Sequence, residues 1–248
     1  MAAGETNQQS VLTPEIRRQL ERVAVPTVVS TLYRLGLRGM MMQAPKNLNP
    51  SAPRLLGTAF TVRTIPVRED LVEATARGER PNLQGEAIAR IGAGEVLVVA
   101  MDGESRTAFM GDIITTHLLA KGSAGVVLDG GVSDAAAISA IPLPVYCCGT
   151  AGTPVTSHRL VVELQAPIGC AGVPVFPGDV IMGDGNGIVC IPAHLVAQVA
   201  ATAAEREMFE EWVISEARKG RPLTGLYPAN EATRREYEAF LAAAPSAG

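Results

Sequence analysis

The chain has 248 residues and a formal net charge of -4, and 47% of its residues are apolar whereas 19% are charged. This composition supports a packed globular core and excludes an intrinsically disordered chain. The slightly acidic charge, with no notable Lys/Arg run, argues against a nucleic-acid-binding surface. No apolar stretch reaches the roughly 18–20 residues of a membrane span, and the polar N-terminus lacks a signal-peptide region, so we expect a cytoplasmic protein.

Two helices are predicted near the N-terminus. Thr13 is a typical N-cap, and Pro14 suits the first helical position. Pro26 is expected to break the helical run, so that a second helix covers about residues 27–35 and ends at Gly36. A linker with three prolines then leads to the first strand.

Alternating or continuously apolar segments predict the strands of an α/β domain. A helical turn over 69–76 and a polar loop over 77–86 separate the first two strands, and the hairpin has DGNG as its tight turn. The strands are predicted at 57–65, 95–101, 124–128, 143–148 and 160–166, followed by hairpin-like structure over 175–192.

A long amphipathic helix is predicted from Ala193 to about Lys219, with Gly220 as its stop and a short polar helix to Phe240 after it. We therefore expect one domain with a helical arm at 13–36, a core at 55–192 and a second helical arm at 193–240.

The four cysteines lack a CxxC spacing, so we expect them to be reduced and to pack as small apolar residues in or beside strands.

The segment Thr107–Asp134 contains the candidate site. A helix is predicted to begin at Gly111-Asp112, where backbone N–H groups and the positive end of the helix dipole can bind an anion. Asp129 and Asp134 follow a buried strand at its carboxyl end, where ligands usually bind in α/β sheets. The working hypothesis pairs a cation near Asp134 with an anionic substrate at the helix N-terminus.

Four motifs in a fixed order carry a resemblance to a known family: GTAFTV, MGDIITTHLLAKGSAGVVLDGGVSD, PVYCCGTAGTP and PGDVIMGDGNGIVCIP. Over about residues 57–219 the chain resembles the regulator of ribonuclease activity A family. The enzymatic branch of that family comprises class II pyruvate aldolases such as 4-hydroxy-4-methyl-2-oxoglutarate aldolase. The resemblance implies a layered β/β/α swivelling-type α/β domain with helical N- and C-terminal extensions. It also implies homotrimers, often paired into homohexamers, with active sites between subunits.

The resemblance also implies roles for individual residues. Asp134 corresponds to the aspartate that holds Mg²⁺ or Mn²⁺ in the aldolases. Glu207, on the terminal helix of a neighbouring subunit, is the best match for a second metal-associated carboxylate, although a solvated acidic helix face is the simpler interpretation. The substrate-binding positions are Gly111, Asp112, Ile113, Ile114 and Ser133.

One departure from the family pattern lies at the centre of this site. Where the aldolases have Arg-Asp, this chain has Ser133-Asp134. An arginine clamps a carboxylate with two hydrogen bonds, whereas a serine offers one neutral hydrogen bond. Arg106 or Arg63 could supply a replacement cation for substrate binding, although a solvated surface arginine is the ordinary interpretation of both.

The sequence favours a divalent-metal-dependent lyase, either an aldolase or a β-keto acid decarboxylase, with Asp112, Ser133 and Asp134 as its catalytic residues. It would act on a small oxo or hydroxy carboxylic acid through a metal-bound enolate. One alternative is a non-catalytic regulator that binds a protein partner such as a ribonuclease. Another is a related enzyme with a non-pyruvate substrate. Asp129 fits a role in orienting the loop as well as a role in supporting the metal site through hydrogen bonds to the residues that hold the metal.

Overall fold

The computed structural model describes residues 11–243. The helices are α1 (Pro14–Glu21), α2 (Val25–Arg34), α3 (Glu69–Ala76), α4 (Leu83–Arg90), α5 (Asp112–Ala120), α6 (Ala135–Ile138), α7 (Val196–Arg218) and α8 (Glu231–Ala243). The strands are β1 (Met41–Met42), β2 (Lys46–Asn47), β3 (Leu55–Pro66), β4 (Glu95–Ala100), β5 (Gly125–Leu128), β6 (Gly131–Val132), β7 (Val145–Cys147), β8 (Gly149–Thr150), β9 (Arg159–Leu164), β10 (Ile168–Cys170), β11 (Val173–Val175), β12 (Val180–Asp184) and β13 (Gly187–Ile191).

A nine-stranded mixed sheet forms the centre of the fold; eight strands follow the order β1-β13-β12-β3-β4-β5-β7-β2, and the ninth strand, β9, pairs with β3. Strands β3, β4, β5 and β7 are parallel, and antiparallel strands extend the sheet on both sides. Strand β12 pairs with residues 55–58 of β3, and β9 pairs with residues 62–66 of the same strand. Because the central strands are parallel, the loops that follow β4 and β5 meet at one edge of the sheet, and this edge carries the candidate site.

Both faces of the sheet are covered, because successive side chains of a strand point in opposite directions. Val96 and Val98 of β4 belong to the core cluster shared with α1, α2 and α7. Leu97 and Val99 belong to the cluster shared with α4, α5 and α6. The near-continuous apolar sequence of β4 follows from burial on both faces, as the sequence predicts.

At the N-terminal end, Thr13 caps α1 as predicted, and its Oγ1 accepts a hydrogen bond of 3.3 Å from the Ile16 N–H. The prediction for Pro26 was wrong in detail. α1 already ends at Glu21, and α2 begins at Val25, so Pro26 lies in the first turn of α2. A proline is tolerated there because the N–H that it lacks has no intrahelical acceptor.

The predicted polar loop at 77–86 was also wrong, since α4 begins inside it. Asn82 caps this helix through a hydrogen bond of 3.1 Å from the Gly85 N–H to Asn82 Oδ1. The short elements α6, β6, β8, β10 and β11 were not predicted. The hairpin formed by β12 and β13 and the long helix α7 were predicted correctly.

The C-terminal helices form a small aromatic cluster of their own. Trp212 of α7 is nearly buried and packs with Phe209, Tyr237 and Phe240.

All four cysteines are free, and three of them are buried, as expected for reduced residues in or beside strands. Among the helices that the structure describes, none combines the length and apolar character that a membrane crossing requires.

Candidate active site

The start of α5 is one half of the candidate site. Gly111 is the N-cap residue, and the Thr115 N–H donates to its carbonyl oxygen at 3.1 Å. The N–H groups of Asp112, Ile113 and Ile114 have no intrahelical acceptor and are therefore available to a ligand. Ile113 is 82% exposed, so this turn lies at the surface of the chain. The predicted helix start at Gly111-Asp112 is confirmed.

The loop after β6 is the other half. The Ser133 N–H donates to the Met110 carbonyl at 2.9 Å, which fixes this loop against the segment before α5. The Ser133 hydroxyl donates to Asp134 Oδ2 at 2.7 Å. Asp134 has φ +53°, a left-handed conformation that is unusual for a residue with a side chain and that occurs preferentially at functional sites.

Gly111 brings these two halves into direct contact. A Cβ atom added at Gly111 would overlap Asp134 Oδ2 and would lie 2.5 Å from Ser133 Oγ. The absence of a side chain at this position therefore allows the Asp134 carboxylate to rest on the N-cap residue of α5. The structure thus brings together Gly111, Ser133 and Asp134, which the sequence singled out separately.

A cavity of about 310 Å³ opens beside this contact. Its lining includes Gln84, whose amide Nε2 donates to the Phe109 carbonyl at 2.5 Å. The sequence did not indicate a role for Gln84, because its segment was predicted as a loop. Asn82, a typical N-cap residue, was the signal that could have located the helix. The other lining residues are Ala108, Met110, Gly111, Ser133, Gly152, Thr153, Pro154, Val155 and Thr156.

Asp129 lies in the same loop region but is buried. Its Oδ1 accepts a hydrogen bond from the Met101 N–H, and its Oδ2 accepts one of 3.0 Å from the Ala171 N–H. Both carboxylate oxygens are therefore engaged with backbone. This arrangement supports the loop-orienting interpretation of Asp129.

The two arginines considered as replacement cations are both bound to carboxylates. Arg106 is mostly exposed and its guanidinium donates to both Glu104 oxygens; these hydrogen bonds lower the pKa of Glu104 to about 2. Arg63 is paired with Glu163 at 2.6 Å on the surface. Arg106 therefore pairs with a carboxylate two residues earlier in the sequence, and Arg63 pairs with a carboxylate on the adjacent strand β9.

Glu207 lies elsewhere in the chain. Its Oε2 accepts a hydrogen bond of 3.3 Å from the Ala24 N–H, while Asp184 Oδ2 accepts one of 2.9 Å from the Val25 N–H. The two carboxylates together cap the N-terminus of α2. Glu207 also lines a second cavity of about 680 Å³, next to Arg54. A role for Glu207 at the metal of a neighbouring subunit stays a prediction.

The donors at the site fit a hard divalent cation. Within residues 11–243, no three His, Cys, Asp or Glu side chains come together to hold a metal ion. Mg²⁺ needs no such cluster, because it keeps several waters and is usually held by one or two carboxylates plus substrate oxygens. Asp134 is exposed and its carboxylate could fill that role, so the donor set fits Mg²⁺ or the similar Mn²⁺.

A model of the RraA-like family, described as Aldolase/RraA, matches residues 25–190. The protein belongs to the RraA-like family. The family predicted from the four motifs is thereby confirmed.

A protein of Halalkalibacterium halodurans provisionally named 4-hydroxy-4-methyl-2-oxoglutarate aldolase is 32% identical over 127 residues, which are 51% of this chain and 60% of that protein. Protein DlpA of Legionella pneumophila is 25% identical over 87% of this chain and 34% of its own length. This RraA-like chain therefore aligns with less than two thirds of either curated relative.

Solved structures confirm the predicted layered α/β fold. RraAS2 of Streptomyces coelicolor, described as an unusual member of the RNase ES inhibitor RraA protein family, has a TM-score of 0.72 and 28% identity. The similarity covers 80% of this RraA-like chain and 95% of that one. An uncharacterised protein of Pseudomonas syringae has a TM-score of 0.73 at 24% identity, over 86% of this chain and 96% of its own, and is evidence for the fold alone.

Proposed function

We propose that this RraA-like protein is a divalent-metal-dependent carbon–carbon lyase that acts on a small oxo or hydroxy carboxylic acid. Aldol cleavage and β-keto acid decarboxylation both produce an enolate, so one site can serve both reactions. The observation that carries the proposal is the contact of Asp134 with Gly111. This contact puts an exposed carboxylate beside the unpaired N–H groups of a helix N-terminus.

The start of α5 would bind the acid end of the substrate. The N–H groups of Asp112, Ile113 and Ile114 can donate to a carboxylate, and the positive end of the helix dipole favours its charge. These N–H groups would have to bind the acid without the arginine clamp of the aldolases. Ser133 would add a single hydrogen bond, after its hydroxyl turns from Asp134 towards the substrate.

Asp134 would hold the cation, and before substrate binds the Ser133 hydroxyl orients its carboxylate through the hydrogen bond to Oδ2. When bound, a divalent cation supplies Lewis-acid stabilisation of the negative charge that develops on the substrate. The Asp112 carboxylate lies on the first turn of α5 and is the candidate acceptor for the proton of the substrate hydroxyl. We also propose that the protein is a homotrimer or homohexamer.

The test is pyruvate release from 4-hydroxy-4-methyl-2-oxoglutarate, from its analogue with a methyl group in place of the distal carboxylate, and from oxaloacetate, with Mg²⁺, with Mn²⁺ and with excess chelator. We expect release that requires the metal and is lost in Asp134→Asn. The matched control is Asp70→Asn, which changes an exposed aspartate in the Arg68 ion pair. No release from any of these acids by folded protein would contradict the proposal.

A non-catalytic regulator is the second candidate, and the similarity to RraAS2 over nearly all of that chain favours it. In this case the protein would inhibit an RNase ES-type ribonuclease without any metal requirement. Inhibition that Asp134→Asn leaves unchanged, in protein that releases no pyruvate, would favour the regulator. Metal-dependent turnover without inhibition would favour the lyase.

A further inference from the structure

The cavity beside Ser133 has walls of uncharged residues. Among residues 11–243, the side chains that line it are polar but neutral, such as Gln84, Thr153 and Thr156, or apolar, such as Met110 and Val155. Its volume of about 310 Å³ is sufficient for a tail of a few carbon atoms. The cavity begins at Gly111 and Ser133, so it continues directly from the point where the proposed function places the substrate.

The walls are held in place by hydrogen bonds. The Ala108 N–H donates to the Thr153 carbonyl at 2.8 Å, and the Thr107 hydroxyl donates to the same carbonyl at 3.1 Å. Gln84 is fixed by its bond to the Phe109 carbonyl. These hydrogen bonds join the three segments that form the walls of the cavity.

The lining of the cavity offers no positive charge to an anionic tail. Among residues 11–243, none of the residues that line it is a lysine, an arginine or a histidine. Arg106, the arginine that lies nearest in sequence to α5, is already bound to both oxygens of Glu104. A second substrate carboxylate in the cavity would therefore gain no cationic partner from the lining.

This inference rests on the proposed lyase function: we propose that the part of the substrate that occupies this cavity, its tail beyond the oxo acid group, is uncharged. The substrate class is then a monocarboxylic 4-hydroxy-2-oxo acid with a short aliphatic or hydroxylated tail. In its cleavage the hydroxyl proton passes to a base, the C3–C4 bond breaks, and C4 leaves as an aldehyde or ketone. The electron pair of that bond remains on the C2–C3 enolate, which takes up a proton at C3 to give pyruvate.

Two substrates of nearly equal shape test this inference on the Mg²⁺-loaded protein. They are 4-hydroxy-4-methyl-2-oxopentanoate and 4-hydroxy-4-methyl-2-oxoglutarate, which differ by a methyl group in place of the distal carboxylate. We expect kcat/KM to be higher for the neutral compound, because the uncharged lining can contact its methyl group and offers a carboxylate no cationic partner. Equal or higher kcat/KM for the dicarboxylate would overturn the inference.

A matched pair of variants links the preference to the cavity. Thr156 is exposed on the cavity wall, so a longer side chain can be placed there without disturbing the core. Thr156→Lys should raise kcat/KM for the dicarboxylate relative to the neutral acid by about tenfold, since it supplies a cation. Thr156→Met has similar length and no charge, and it should leave the ratio unchanged. The same change of ratio in both variants would assign the effect to bulk and contradict the inference.

A binding measurement separates this inference from the proposed function. Titration calorimetry with Mg²⁺ compares 2-oxobutyrate, which has a neutral tail, with 2-oxoglutarate. Tighter binding of 2-oxobutyrate without any turnover of the hydroxy acids would support the cavity preference and contradict the lyase. Turnover with a preference for dicarboxylates would support the lyase and contradict the cavity preference.

Discussion

Asp129 and Asp134 are five residues apart, and their surroundings are opposite. Asp129 is 5% exposed, and its two oxygens accept hydrogen bonds from the backbone of two other segments. Asp134 is exposed, and the hydrogen bond that its carboxylate accepts among the described residues comes from the neighbouring Ser133 hydroxyl. The Asp129 carboxylate is fully engaged in hydrogen bonds within the fold, whereas the Asp134 carboxylate is available to a ligand.

This difference separates structural from functional carboxylates better than sequence position does. Asp179 resembles Asp129, since it is buried and accepts hydrogen bonds from the N–H groups of Phe176 and Ala193 at 2.9 Å each. Changes at carboxylates of the first kind should act on stability, and changes at Asp134 should act on activity. The predictions below begin with the largest expected effect.

The largest effect is expected for Asp134→Asn on pyruvate release. The amide keeps the shape of the side chain but removes the charge that would hold the cation, whose contribution is several kcal/mol. We expect kcat/KM to fall by about 10²–10³-fold, at about tenfold per 1.4 kcal/mol. The midpoint of urea unfolding should remain close to that of the parent protein. A loss of stability that parallels the loss of activity would contradict the comparison.

Asp129→Ala should produce the reverse pattern. It leaves the N–H groups of Met101 and Ala171 without their acceptor, at a cost of about 1–3 kcal/mol for each buried group. We expect the free energy of unfolding to fall by about 2–4 kcal/mol in urea titrations. Unchanged stability together with lost metal affinity would instead assign Asp129 to the metal site.

Gly111→Ala tests the contact between the two halves of the site. The added methyl group would overlap the Asp134 carboxylate, so one of the two loops must move. We expect kcat/KM to fall by about tenfold or more, because small displacements of catalytic groups are costly. Gly152→Ala is the matched control: Gly152 lines the same cavity, and a Cβ atom there would meet nothing within 4 Å. Equal losses in both variants would contradict the contact.

The smallest effect is expected for Arg106→Gln, because Arg106 is bound to Glu104 rather than to the site. Activity should change by less than about twofold, as for an ordinary surface residue. The pKa of Glu104 should rise from about 2 towards its ordinary value of 4.5, as measured by carboxyl NMR titration. In the parent protein the lowered pKa contributes stability above the unfolded value, and this contribution is lost as the pH falls towards 2. A large loss of activity would show that Arg106 binds substrate.

The sequence was sufficient for the family, for the order of the main helices and strands, and for the start of α5, because these depend on local patterns of apolar residues, caps and glycines. It was insufficient for α4, since the polar residues around Asn82 and Gly85 resemble a loop. The left-handed conformation of Asp134 could not be predicted from local sequence either. Its loop is held by hydrogen bonds to a segment more than twenty residues earlier, such as that from Ser133 to Met110. The same holds for Gln84, whose neighbours in the cavity are far away in the sequence.

The capping of α2 has a consequence for the order of events during synthesis. Its first turn relies on acceptors from Asp184 and Glu207, which are 159 and 183 residues further along the chain than the N–H groups that they bind. A ribosome that has completed α2 must therefore add all the residues up to Glu207 before both partners exist. Contacts of such high sequence separation slow the closure of a fold. Helix α2 consequently reaches its final environment only after α7 has been made.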